Sequence, residues 1–136
     1  MRRRRMLASL PGLATACGLL AAHTSPTTAA PADLLLLETR IAGAHHYQYA
    51  RLRQHLSPGA ALQLIREPDN RHDHHAVALH WHGRALGYLP RRDNVVIAQL
   101  LDRQQPLRAE ILSLDDPAEF WEPMTLRVWL PLKPPT

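Results

Sequence analysis

The sequence predicts a mainly β domain with one helix, folded as a small OB-like or SH3-like β-barrel. Short runs of alternating apolar residues recur along the chain, turn-forming residues separate them, and a single stretch changes to a helical period. Several short strands and one helix within about a hundred residues suit a strongly bent barrel of Greek-key character.

The first thirty residues stand apart from this domain. Arg2 to Arg5 precede an uncharged, Leu- and Ala-rich run from Met6 to Ala22, and a polar stretch of small residues containing Thr28-Ala29-Ala30 follows. A positive start, an apolar middle and a small-x-small site are the three parts of a secretory signal peptide, expected over residues 1–30. Pro11 and Gly12 interrupt the apolar run, which is short for a spanning helix, so a membrane anchor is the alternative reading. The arginines loosely resemble a twin-arginine export signal, and "LATAC" fits a relaxed lipobox ending at Cys17. The expected protein is exported, periplasmic or secreted, either cleaved after Ala30 or lipidated at Cys17, with no transmembrane segment in its mature part.

Residues 34–42, "LLLLETRIA", read as the first strand, interrupted by Gly43. "AHHYQYARLRQHL" carries mixed signals, and Ser57-Pro58-Gly59 is a turn. Ala61 to Arg66 alternates with Leu62 and Leu64 on one face. Pro68 and Asp69-Asn70 make "EPDNRHDHH" a loop. From Ala76 to Trp81, Val77, Leu79 and Trp81 share one face, with Ala78, His80 and His82 on the other. Gly83 then turns the chain into the returning strand "ALGYLP". "RRDNVVIAQLLDRQ" predicts a helix of about three turns, with Val95, Ala98 and Leu100 or Leu101 on its apolar stripe and Asp93 or Asn94 as N-cap. "LRAEILSL" alternates through Leu107, Ala109 and Ile111, "DDPAEFWEP" is a turn-rich loop, and "TLRVWLPL" is a last strand with Leu126, Val128 and Leu130 inward. Residues 131–136 are a Pro-rich tail.

The charge balance excludes one easy inference. The whole chain has 16 basic and 12 acidic residues, for a net +4, but Arg2 to Arg5 lie in the leader. From Pro31 onward the two signs are equal, so the high pI is no argument for nucleic-acid binding. An asymmetry survives. Arg40 to Arg92 holds eight arginines against Glu67, Asp69 and Asp73, whereas seven acids face four bases from Asp93 on. Such a chain can still offer one face to an anion. The one cysteine is Cys17, which leaves the mature domain without disulfide or thiolate ligand.

Eight of the nine histidines lie between residues 45 and 82, and imidazole is a preferred zinc and copper ligand. His80 and His82 on one strand face, completed by His72, His74 or His75, are the candidate metal set. No standard zinc spacing is present, and histidines on a solvated face are the alternative. Ser57 and Ser113 sit in no nucleophile elbow. Glu67, Asp69 and Asp73 lie in one exposed loop among arginines, where salt-linked loop acids are the simpler reading. The residues offer no enzyme. A binding site fits better. Asn70, His72 and Asp73, across a hairpin from Tyr88 and Arg91-Arg92, combine flat rings, acceptors and cations that suit a base, a sugar hydroxyl and a phosphate. In the alternative, Asp69 and Asn70 shape the turn, Asp73 caps it by bonding backbone amides, and Tyr88 packs in the core.

Residues from Leu62 to Ile111 resemble a HIRAN domain, through Arg66-Glu67-Pro68, Asn70-Arg71-His72-Asp73, His75-Ala76 and Gly87-Tyr88-Leu89-Pro90. "IAGAHHY" is similar to the family's first strand and the aromatic, polar run after it, and the resemblance spans residues 34–130. It implies an OB-like barrel with a pocket for the 3′ end of single-stranded DNA. By position, His72 and Asp73 match residues contacting the terminal nucleotide and its 3′-hydroxyl, and Asn70 matches a turn or contact position. Tyr88 and Arg91 match positions beside the bound strand, and His45 and His46 fall near a stacking and phosphate-contacting pair. Arg71 stands where the family usually has Pro, His75 where it has Asn, and His46 where it has an aromatic.

The leading expectation is therefore a non-enzymatic module binding a single-stranded DNA end. An exported envelope protein that uses the same barrel for a peptide, a glycan or another anion is the second. A histidine-rich zinc- or copper-binding protein is the third.

Overall fold

A computed structural model describes residues 33–133. The leader over residues 1–30, Cys17 and the last three residues of the tail lie outside the described residues. Among the described residues no helix is long and apolar enough to cross a membrane.

Six strands form the domain: β1 (Leu34–Arg40), β2 (Ala61–Arg66), β3 (Val77–Trp81), β4 (Arg84–Tyr88), β5 (Arg108–Leu114) and β6 (Met124–Leu130). They pair antiparallel in the order β1-β6-β5-β2-β3-β4. The bend comes from β2, whose first residues, Ala61 and Leu62, pair with β5 while Gln63 to Arg66 pair with β3. Extra residues in β1, β4 and β5 shift the register and add local twist. The expected barrel is thus found as a strongly curled sheet whose ladders do not close. A single isolated pair, Ala42 with Tyr88, joins the two ends of the order through two backbone bonds of 2.8 and 2.9 Å. Only one pair forms because Gly43, at φ 70°, turns the chain away immediately afterwards.

The core lies inside the curl. Leu79, Leu86, Ile111, Met124, Leu126 and Val128 from the strands, Ile41 just after β1 and Ile97 from the helix are essentially buried. Burial of each such side chain contributes about 1.5–3 kcal/mol. The mixed segment after Gly43 holds two 3-10 turns, 44–46 and 53–55, around a one-turn helix, α1 (Tyr49–Leu52). No periodicity marks it. What fixes it is Tyr49, fully buried, whose hydroxyl donates to the carbonyls of Pro123 at 3.0 Å and Asp115 at 3.2 Å. Burial pushes the Tyr49 phenol pKa up, so it remains a donor.

The predicted helix is shorter than expected. α2 spans Val95–Asp102, a little over two turns, and Gln104 at φ 57° stops it. Its buried residues are Ile97 and Ala98, with Leu101 packed against the core, while Val95 faces solvent. Asn94 occupies the N-cap position but makes no side-chain cap bond. Its side chain turns inward instead, to a partner described below. Strand β3 also stops one residue early for the predicted face. His82 and Gly83, at φ 47° and 75°, form a two-residue hairpin loop of the primed type, so His82 does not share a strand face with His80.

Candidate functional site

The loop between β2 and β3 builds one wall of a cavity. Pro68 ends β2 pairing, yet the Glu67 amide still donates to the Ala76 carbonyl at 3.0 Å and pins the loop base. Arg66 reaches across it, donating to the carbonyls of Ala76 and His74 and to Asp102 of α2. Two side chains then shape the tip as Asx turns. Asn70 Oδ1 accepts from the His72 amide and Asp73 Oδ1 from the His75 amide, both at 2.9 Å. The inward Asn94 amide donates to Asp73 Oδ2 at 2.6 Å. Arg91 closes the far side, donating to the His72 carbonyl and standing 4.0 Å from Asp73 Oδ2.

These contacts decide the state of Asp73. Its burial pushes the carboxyl pKa up, but the His75 amide, the Asn94 amide and the Arg91 charge outweigh that and hold it below its ordinary value. The group is therefore ionised at neutral pH. A carboxylate offers about four lone-pair positions, so two short bonds leave acceptor capacity facing the cavity.

The opposite wall is aromatic. Tyr88, half-buried at the end of β4, donates its hydroxyl to Glu67 at 2.8 and 3.1 Å, and Glu67 also accepts from the Asn70 amide at 3.1 Å. Burial first, and the bonds to Tyr47 and Glu67 after it, push the Tyr88 phenol pKa up, so the hydroxyl stays protonated. Tyr47 meets the Tyr88 ring edge-on, with centroids 5.4 Å apart. Tyr88→Phe should remove the only phenol holding Glu67 and lower stability by about 1–2 kcal/mol. Thermal unfolding reads this directly, and an unchanged midpoint would show that the bond contributes nothing.

The cavity, about 240 Å³, brings together His46, Asn70, His72, Asp73, Tyr88 and Arg91, six of the seven residues singled out for ligand contact. It is smaller than the roughly 300–1,000 Å³ of a drug-sized site, and so suits one compact group rather than an extended ligand. His45 is not among its walls. That ring stacks on Trp121 instead, with centroids 4.4 Å apart and planes at 26°. The candidate metal set is not assembled: His72 lines the cavity, His74 is exposed in the loop, His80 lies in β3 and His82 in the hairpin loop. Among the described residues no group of three or more His, Cys, Asp or Glu side chains is placed to hold a metal ion.

Sequence reasoning missed three participants. Tyr47 lines the cavity, and its signal was the aromatic residue closing "AHHY". Glu67 holds both Tyr88 and Asn70, and Asn94 orients Asp73. Neither of these last two roles has a local signal.

Comparison with known proteins bears on the family and the fold. The family model described as HIRAN domain matches residues 34–133. Among solved structures, a protein from Lactobacillus plantarum is similar at 27% identity and a TM-score of 0.60, over 72% of this chain and 97% of that one. The HIRAN domain of human HLTF is similar at 18% identity and a TM-score of 0.57, over 71% and 77% of the two chains, a likeness of fold. No curated protein matches the sequence.

Proposed function

Because the chain belongs to the HIRAN domain family, whose members are nucleic-acid-binding modules rather than enzymes, we propose that its cavity receives the 3′-hydroxyl end of single-stranded DNA. One observation carries the reading: an ionised acceptor, Asp73, shares a cavity of about 240 Å³ with the Arg91 guanidinium and the rings of His46, Tyr47, His72 and Tyr88. A carboxylate accepts a bond from a terminal hydroxyl and repels a terminal phosphate. Arg91, 69% exposed at the rim, is placed for the preceding phosphodiester. The rings supply faces for the terminal base, a contact worth about 1–3 kcal/mol per base.

The test is a titration of matched oligonucleotides that differ only at the 3′ end. Tighter binding of the hydroxyl form than of its 3′-phosphorylated twin is the expected result. Equal, salt-sensitive binding of both would leave only a non-specific polyanion surface and discard the pocket.

Trp121 extends the same reading. The residue is 67% exposed, and its ring is braced by His45, beside the cavity-lining His46. An exposed indole held in place suits a second base. Trp121→Ala should weaken oligonucleotide binding about tenfold, in line with the loss of one stacked base, while leaving thermal stability nearly unchanged. Full affinity in this variant would remove Trp121 from the interface.

The leader-like residues 1–30 favour a second reading, in which the exported domain takes another anionic ligand in the same cavity. A reporter fused after Ala30 separates the two: reporter activity outside the cytoplasm supports the envelope ligand, and cytoplasmic retention removes it.

A further inference from the structure

The seam between β4 and the segment after Gly43 leads from the cavity to a second depression at the other end of β4. The 3-10 turn at 44–46 and β4 meet at the cavity, where His46 and Tyr88 face it. The chain then follows β4 backwards, bonded to it by the Gln48 amide to the Ala85 carbonyl at 3.1 Å. It reaches His55 where β4 begins at Arg84. There His55, Trp81, His82 and Arg84 line an open depression of about 410 Å³.

The composition of this depression is one-sided. A guanidinium, two imidazoles and an indole line it, and no carboxylate does. The Arg84 side chain is exposed and, like those of Arg51 and Arg71, has no hydrogen-bond or ion-pair partner among the described residues, whereas Arg40, Arg66, Arg92, Arg108 and Arg127 each face a carboxylate. The Trp81 and His82 rings meet edge to face at 4.4 Å, which holds both at the mouth. Unfilled guanidinium donors beside a flat indole are the chemistry that takes a phosphodiester and stacks a base.

We infer that a single strand whose end occupies the cavity runs on along the seam between β4 and residues 44–55 to a second contact at His55, Trp81, His82 and Arg84. This inference rests on the end-binding reading for its direction. Arg84 and Tyr88 are four residues apart, about 13 Å along a strand. A single strand extends at least as far per nucleotide as the roughly 3.4 Å of a duplex strand, so the second contact falls within about four nucleotides of the end. A dinucleotide, with one internucleotide spacing, reaches the cavity alone, and a ten-nucleotide ligand reaches both.

Anisotropy titrations of the full chain with 3′-hydroxyl oligonucleotides of two and ten nucleotides test this. Arg84→Gln should weaken the ten-nucleotide ligand about five- to tenfold and reduce the slope of log affinity against log salt by about 0.7, the value for one single-strand phosphate contact. It should leave the dinucleotide and the hydroxyl-over-phosphate preference unchanged, and Arg84→Lys should restore most of the loss. Matching thermal midpoints establish that the variants fold. Equal affinity of wild type and Arg84→Gln for the ten-nucleotide ligand overturns the second contact and leaves the cavity reading standing. Loss of end preference in the wild type, with the Arg84 effect intact, overturns the cavity reading and leaves this contact standing.

Discussion

Asp73→Ala is expected to abolish the preference for a 3′-hydroxyl end and to weaken the hydroxyl-ended oligonucleotide by about 10- to 100-fold, the worth of a hydrogen bond to a charged acceptor. Two effects combine in that variant. The ligand loses its acceptor, and the Asn94 amide, on a residue only 1% exposed, loses the oxygen it donates to at 2.6 Å. The second effect alone should lower stability by about 1–3 kcal/mol and loosen the loop tip. Asp73→Asn separates them, because it keeps the size of the side chain and one acceptor oxygen while removing the charge. It should keep more of the stability yet still lose the end preference, since the repulsion of a terminal phosphate is gone. The pH dependence follows from the depressed Asp73 pKa. A carboxyl whose folded pKa lies below its unfolded value of about 3.9 stabilises the fold above that value, and the contribution disappears as pH falls through the folded pKa. The stability gap between wild type and Asp73→Asn should therefore persist at neutral pH and close only in strong acid. Undiminished end preference in Asp73→Asn would remove the carboxylate from recognition.

What the sequence made legible, and what it did not, divides along a physical line. Period-two alternation placed Val77, Leu79, Ala109, Ile111, Leu126 and Val128 in the core, because a strand with one buried face must repeat at that interval. The loop from Glu67 to His75 and the segment Gly87 to Pro90 were legible for a similar reason: Pro, Asn, Asp and Gly there answer local backbone demands. Their residues met in one cavity because β2, β3 and β4 are consecutive neighbours in the sheet. The errors arose where tertiary contacts override local preference. Asn94 has the chemistry of a helix cap, but the carboxylate of Asp73, 21 residues away in sequence, is the stronger acceptor for its amide. His82 continues the alternation by one residue on paper, while the tight hairpin needs positive φ there and takes it off the strand. Helix α1 is a single turn that no period could reveal, since burial of Tyr49 rather than an amphipathic stripe holds it. His45 and His46 are a different matter: the resemblance carried both over by position, and the fold parts their rings. Consecutive residues of a 3-10 turn point apart, which sends one ring to the cavity and the other to Trp121.

Gly87→Ala tests the contact that joins fold and site, and it should be strongly destabilising. Gly87 has φ 156°, and a Cβ there would lie 2.5 Å from the Ala42 carbonyl oxygen and 2.8 Å from two side-chain carbons of Ile41. The oxygen belongs to backbone, and Ile41 is fully buried, so neither neighbour can yield cheaply. Overpacking of this kind destabilises by about 1–3 kcal/mol and backbone strain by a similar amount. The expected loss is about 2–5 kcal/mol out of the roughly 5–15 kcal/mol that holds a domain of this size. In thermal unfolding that corresponds to a midpoint lowered by about 10–30 °C. The damage is also directional. Ala42 is the residue that pairs with Tyr88, and theirs is the isolated bridge between the two ends of the strand order. Pushing Ala42 away therefore opens the sheet at the cavity, displacing Gly43, His46 and Tyr47 from Tyr88. Any fraction that remains folded at low temperature should bind oligonucleotide ends weakly, even though residue 87 itself carries no ligand contact. The control is Gly83→Ala in the hairpin loop, where an added Cβ meets nothing within 4 Å and only the φ of 75° opposes it. That variant should lose about 1–2 kcal/mol from conformational strain alone and keep its binding. A similar midpoint for both variants would mean that Gly87 is required only for its backbone angle, and that the approach of β4 to Ala42 is not what holds the cavity in shape.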